Sequence, residues 1–181
     1  TLYAMQMLAA HHRRQFDIPV VGITGSNGKT SVKEWLHQLL QEDYNIVRSP
    51  RSYNSQTGVP LSVWQMNEKT ELALFEAGIS RPDEMHRLEE IIHPTIGLIT
   101  NIGDAHQEGF ASVQQKCMEK LTLLQGCDCI IYDGDNEIIS DCIEKRCLGA
   151  YEIAWSRKDR DKPLYISSIE KGENSTLIQY T

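Results

Sequence analysis

One stretch constrains this chain more than any other: Val20-Val21-Gly22-Ile23-Thr24-Gly25-Ser26-Asn27-Gly28-Lys29-Thr30-Ser31. An apolar β run enters a glycine-rich turn, and Lys29-Thr30-Ser31 opens a helix. Glycines let the turn point successive backbone N–H groups into one concavity, at the positive end of the helix dipole, where phosphate oxygens bind. Lys29 is then placed to reach the outer phosphates of a nucleotide, and the Thr30 hydroxyl to hold a magnesium ion. The spacing is not that of G-x-x-x-x-G-K-[ST], because its first glycine would fall on Ile23; glycine stands instead at Gly22 and Gly25.

The rest of the chain alternates helical and strand patterns. Leu2, Met5, Leu8 and Ala9 share a face of an opening helix that ends in the polar His11-His12-Arg13-Arg14. After the loop, Val32, Trp35, Leu36, Leu39 and Leu40 follow helical spacing. Ile46-Val47 reads as a short strand leading into the polar segment Arg48–Pro60, long enough to be either functional or a plain surface loop. Glu71–Phe75 is a buried strand with Glu76 at its carboxyl end; Ser80 then starts a helix that turns Met85, Leu88, Ile91 and Ile92 inward. Ile96–Thr100 is a third strand, followed by the polar loop Asn101–Phe110. Ser112 and Gln115 form a capping box for a helix whose stripe is Val113, Cys117, Leu121 and Leu124. A strand at 129–132, a helix at 138–148 and a strand at 153–155 continue the alternation, and from Leu164 two β runs flank Lys171–Asn174 as a hairpin.

Such alternation implies an α/β fold with a mostly parallel sheet, helices on both faces, and a small β-hairpin appendage at its C-terminal end. Ligands gather at the carboxyl ends of the strands in such sheets. Three groups converge there: the phosphate loop, Glu76, and the Asn101/His106 loop. Glu76 fits a metal-binding acid or a structural ion pair, and His106 a ligand, an acid–base group or neither. Lys120 falls inside the apolar stripe of its helix, where a lysine is costly unless it is paired, modified, at a site or able to snorkel out. The convergence points to ATP and magnesium.

Bulk properties exclude other classes. A net charge of −7 disfavours non-specific nucleic-acid binding, and no apolar run approaches a membrane span. The five cysteines include no C-x-x-C pair, which suits reduced thiols in a cytoplasmic protein better than a zinc site. A guanine-specificity motif is absent, which argues against an ordinary phosphate-loop GTPase.

Gly22–Thr30 resembles the ATP-binding signature of the Mur ligases, and Phe75-Glu76-Ala77-Gly78 their acidic strand end. Thr100–Phe110 is similar to their Asn…His loop, and Tyr53-Asn54…Gly58-Val59-Pro60-Leu61 to the substrate-side loop of the branch that adds D-alanyl-D-alanine. The resemblance covers effectively the whole chain. It implies the phosphate-loop NTPase-like central ATPase domain, residues 1–181, without its final helix and without the N-terminal substrate domain and the C-terminal closing domain. It implies a cytoplasmic, ATP-dependent ligase of peptidoglycan precursor synthesis, joining D-Ala-D-Ala to UDP-MurNAc-tripeptide through an acyl phosphate, and it lies close to a branch fused to an alanine racemase. Gly25, Ser26, Asn27, Gly28, Lys29, Thr30, Ser31 and Asn101 are then the nucleotide contacts and Asn54 a substrate contact. Thr30 and Glu76 would hold one magnesium ion; His106 and a carbamylated Lys120 would hold a second. The family's lysine stands in a Lys-x-x-[IL]-aromatic context, whereas Lys120-Leu121-Thr122-Leu123-Leu124 lacks the aromatic. A folylpolyglutamate synthase-like ligase and a non-catalytic nucleotide-binding module are the alternatives.

Overall fold

The computed structural model describes residues 1–103 and 109–181. Its eight strands form one sheet: β1 (Val20–Thr24), β2 (Ile46–Arg48), β3 (Leu72–Glu76), β4 (Ile96–Ile99), β5 (Cys129–Asp133), β6 (Tyr151–Ser156), β7 (Leu164–Lys171) and β8 (Thr176–Tyr180). They lie in the order β2-β3-β1-β4-β5-β6-β7-β8. All neighbours are parallel except β7 and β8, which pair antiparallel as the expected hairpin. The helices are α1 (Leu2–Arg13), α2 (Lys29–Leu40), α3 (Gly58–Val63), α4 (Met85–Ile92), α5 (Val113–Lys120) and α6 (Glu137–Arg146). Among the described residues, no helix is long and apolar enough to cross a membrane. All five cysteines are free thiols.

β1 and β3 are buried along their whole length, as near-continuous apolar runs in a parallel sheet must be. Met85, Leu88, Ile91 and Ile92 face the core of α4 as their spacing predicts. That helix begins at Met85 and not directly after Ser80, because the Glu84 carboxylate accepts from the N–H groups of Ser80 and Arg81 and closes a turn there. Ser112 caps α5 by accepting from the Gln115 N–H at 3.0 Å; the return bond from Gln115 goes to the Ala111 N–H, one residue earlier than in the standard box.

Two helices present different faces from those that apolar spacing assigns. In α1 the buried residues are Gln6, Ala9, Ala10 and Arg13, while Leu2 and Leu8 are exposed. Arg13, expected in a solvated helix end, is buried and donates to the carbonyls of Ile92, Phe16 and His93. It satisfies the free carbonyls at the end of α4, so a guanidinium fork does the work of a cap. In α2, Trp35 and Leu39 are exposed, Leu36 and Leu40 pack on the sheet, and the wholly buried residue is Lys33. The segment 48–60, expected as a loop throughout, gives its last residues to α3.

Candidate functional site

Three strand ends build the site. Parallel register sets Glu76, the last residue of β3, beside Ile23 of β1, and Thr24 of β1 beside Ile99 of β4. The phosphate loop therefore leaves the centre of the sheet with Glu76 on one side and the Thr100–Gly103 segment on the other.

The loop needs its glycines. Gly25 has φ +138°, and a Cβ there would sit 2.0 Å from the Thr100 hydroxyl, so the close approach of β4 excludes any side chain. Gly28 has φ +80° and is the N-cap of α2, with open space where a Cβ would point. The loop is tied to β4's end by the Ser26 N–H donating to the Asn101 carbonyl (2.9 Å) and the Asn27 N–H to Asn101 Oδ1 (3.0 Å). Ser26 Oγ and Gly103 exchange two further bonds. Asn101 thus supports the loop from behind. Lys29 curls back over it, its Nζ donating to the Gly25 carbonyl at 2.8 Å. Burial pushes the Lys29 amine below its usual range, and the nearby Glu76 charge opposes that shift.

Thr30 Oγ1 donates to Glu76 Oε2 at 3.0 Å, and Ser52 Oγ lies 3.4 Å from the same hydroxyl. Glu76 is wholly buried. Its other oxygen, Oε1, lies 2.9 Å from Lys33 Nζ, but the contact is a charge contact only: no hydrogen bond reaches Oε1 among the described residues. Glu76 Oε2, bonded to the Thr30 hydroxyl with Ser52 Oγ beside it, belongs to the hard oxygen donor set that magnesium takes. The residues fit the ion.

Lys120, at the end of α5, is 4% exposed and turns into the same space. A cavity of about 200 Å³ is lined by Gly25, Ser26, Lys29, Asn54, Gly78 and Lys120, among others. Among the described residues Lys120 makes no hydrogen bond or ion pair. Desolvation, then the charges of Lys29 and Lys116, lower its amine to about 8. Lys116, one turn earlier, is also buried and donates to the Gly103 carbonyl. Asn54 is fixed by its backbone, whose carbonyl accepts from the Gly78 N–H at 2.8 Å. A groove of about 410 Å³ between α1 and α3 is larger, but it is lined mainly by apolar groups and shares no lining residue with the polar cavity.

The structure thus brings together Gly25, Ser26, Lys29, Asn54 and Lys120 around one cavity, with Thr30 and Glu76 bonded beside it. Gly28 and Asn27 complete the turn. Ser31 is exposed and joins none of these contacts, and the Asn101 side chain faces the loop backbone. His106 lies outside the described residues. Lys33, Ser49 and Ser52 were not legible as site residues, although Lys33 stands four residues after Lys29, on the same face of the helix.

Residues 23–181 match the Mur ligase middle domain. The chain belongs to that family. Among curated Mur ligases, it is 34% identical over 144 residues to the UDP-N-acetylmuramoyl-tripeptide–D-alanyl-D-alanine ligase of Bacillus subtilis, covering 78% of this chain and 32% of that protein. It therefore spans about a third of that relative's length. Its fold matches the Mur ligase MurF of Acinetobacter baumannii with a TM-score of 0.89 at 23% identity, over 99% of this chain and 40% of that one. MurF from Thermotoga maritima, solved in complex with ADP, gives 0.86 at 23% identity, over 99% of this chain and 42% of that one. A Mycobacterium tuberculosis folylpolyglutamate synthase shares the fold at 0.74 and 12% identity, so fold alone does not separate these ligases; sequence does.

Proposed function

We propose that this chain is the ATP-binding domain of an ATP-dependent amide ligase that joins D-Ala-D-Ala to UDP-MurNAc-tripeptide in the cytoplasm. The observation that carries this reading is the bonded pair Thr30 and Glu76, with Lys29 folded over the adjoining loop, at the strand ends of a Mur ligase middle domain. In the reaction, the tripeptide carboxylate attacks the γ-phosphate, giving an acyl phosphate and ADP. The D-Ala-D-Ala amine then attacks the acyl carbon, phosphate leaves, and the amide forms as the amine loses its proton. Two polyanions must approach, so neutralisation and positioning are the main contributions. The N–H groups at the start of the helix, from Gly28 to Thr30, cradle the phosphates, while those of Ser26 and Asn27 stay on Asn101, and Lys29 swings from the Gly25 carbonyl onto the β/γ-phosphates. Thr30 and Glu76 would hold a magnesium ion, which would neutralise phosphate charge. Asn54 contacts the peptide substrate across the cavity.

His106 and a carbamylated Lys120 would hold a second ion. Carbamate formation needs a neutral amine, which attacks CO₂ and releases a proton. With the amine lowered to about 8, roughly a tenth is neutral at pH 7 and about half at pH 8. Native mass spectrometry in bicarbonate is expected to show an added mass of one CO₂, more at pH 8 than at pH 7, and lost in Lys120→Ala. An adduct unchanged by that substitution would remove Lys120 from the site.

We place the chain as the central of three domains, with a uridine-nucleotide domain before it and a closing domain after it. A fused alanine racemase belongs to the same proposal and is checked by the flanking gene sequence. The full-length polypeptide is expected to release ADP over many turnovers only when UDP-MurNAc-tripeptide and D-Ala-D-Ala are both supplied, and not with folate and glutamate. Turnover with the second pair would transfer the reading to the folylpolyglutamate ligases.

A further inference from the structure

We propose that Lys33 is a positioning residue for this ligation: its ammonium holds segment 49–54 across the strand ends, so that Asn54 faces the same cavity as Lys29. The inference rests on the function proposed above and assigns it a coupling between the nucleotide side and the peptide side.

Lys33 has no exposed surface. A lysine so placed has lost its hydration and persists only where acceptors surround it. Four do. Its Nζ donates to the Ser49 carbonyl at 2.7 Å and to the Arg51 carbonyl at 2.5 Å, and it lies 2.9 Å from Glu76 Oε1 and 3.1 Å from Glu34 Oε1. Had the ammonium served only to neutralise Glu76, its hydrogens would point at that carboxylate. Two of the three are directed instead at the backbone of a loop, and Glu76 Oε1 is left without a hydrogen bond. Lys33 therefore serves two partners at once: its hydrogen bonds go to the Ser49 and Arg51 carbonyls while it stays within ion-pair distance of Glu76.

The loop is shaped to meet it. Arg51 has φ +49°, a left-handed conformation that a non-glycine residue adopts only at a cost, and its carbonyl is one of the two that accept from the ammonium. Ser49 is wholly buried, and its hydroxyl accepts from the Glu76 N–H at 3.1 Å. Ser52 lies beside Thr30, and Asn54 is bonded to Gly78 just past β3. The Ser49 and Asn54 bonds set the loop on the strand end that carries Glu76, and Ser52 sets it against the helix. Lys33 reaches it from the helix that carries Lys29 and Thr30.

Hydrogen exchange and kinetics on the full-length polypeptide separate positioning from simple stabilisation. In Glu76→Gln the buried ammonium has lost its partner but keeps both loop carbonyls, so global stability falls while amides 49–54 stay protected relative to the rest of the domain. In the double variant Lys33→Met/Glu76→Gln the unpaired charge is gone and stability recovers, yet exchange across 49–54 rises about tenfold or more. Opposite movement of loop protection and global stability is the expected result; parallel movement overturns the proposal. If Glu76→Gln does not fold, the double variant against wild type still decides, because unchanged loop exchange refutes it. In Lys33→Met alone, KM for the UDP-peptide is expected to rise about tenfold or more while KM for ATP changes far less. Equal changes in both would also overturn it. The exchange arm needs no turnover, so failure of the ligase reading leaves the loop result standing on its own.

Discussion

Replacing Lys29 with alanine in the full-length polypeptide is expected to lower ATP turnover by about a hundredfold or more and to leave the fold intact. The two halves of that expectation have separate causes. The Lys29 amine is half-buried, and its one short bond is to the Gly25 carbonyl at 2.8 Å. Losing a bond of that kind costs about 1 kcal/mol, or roughly 2–4 °C in the unfolding midpoint of a domain this size. In the proposed reaction the same amine meets the negative charge that gathers on the γ-phosphate, and the other lysine on that cavity, Lys120, is assigned to a metal ion instead. Thermal unfolding and ADP release, measured on the same sample, check both halves. Retention of more than about a tenth of the turnover would show that the phosphates bind elsewhere.

Glu76→Gln is expected to act on stability more than any other change in the site. The carboxylate is wholly buried, and it is the buried counter-charge of Lys33; Glu34, the other carboxylate in reach, is about one-third exposed. Glutamine keeps the shape and removes the charge, which leaves an ammonium buried against two carbonyls and one solvated partner. Breaking a buried pair from one side costs about 3–5 kcal/mol, a fall of roughly 10 °C in the midpoint. Magnesium-dependent turnover is expected to fall as well, since the donor set at Thr30 loses its charge. Adding Lys33→Met should restore most of the stability and none of the turnover. Calorimetry of the two variants is the check, and a Glu76→Gln midpoint within about 2 °C of wild type would mean that the pair is not desolvated in solution.

The parts of the fold that could be read in the sequence are those set by local rules. Period and strand length placed β1, β3 and β4, the inward face of α4, the hairpin and the inward turn of Lys120. The strand-end rule placed Glu76 beside the phosphate loop. What was not legible depends on partners far away in the chain. Apolar spacing put Trp35 and Leu39 inside, but the first turns of α2 face a polar site, so the buried residue there is Lys33 and the two apolar side chains are exposed. Arg13 reads as a solvated end until the carbonyls of Ile92 and His93 arrive from the other side of β3 in sequence. Asn101 reads as a ligand contact because loops at strand ends usually make them; that its side-chain oxygen accepts from the Asn27 N–H was not legible. No local pattern encodes which of those partners a polar side chain will meet.

That last contact has a consequence for how the nucleotide arrives. Two of the loop's own amides, those of Ser26 and Asn27, are held by Asn101, a residue of the same domain. The loop is consequently held in its curved shape by β4 and does not have to be gathered by the ligand. Its ordering entropy is lost once, when the sheet forms, and association need not supply it again. A chain that folds is, at this turn, a chain already shaped for phosphate.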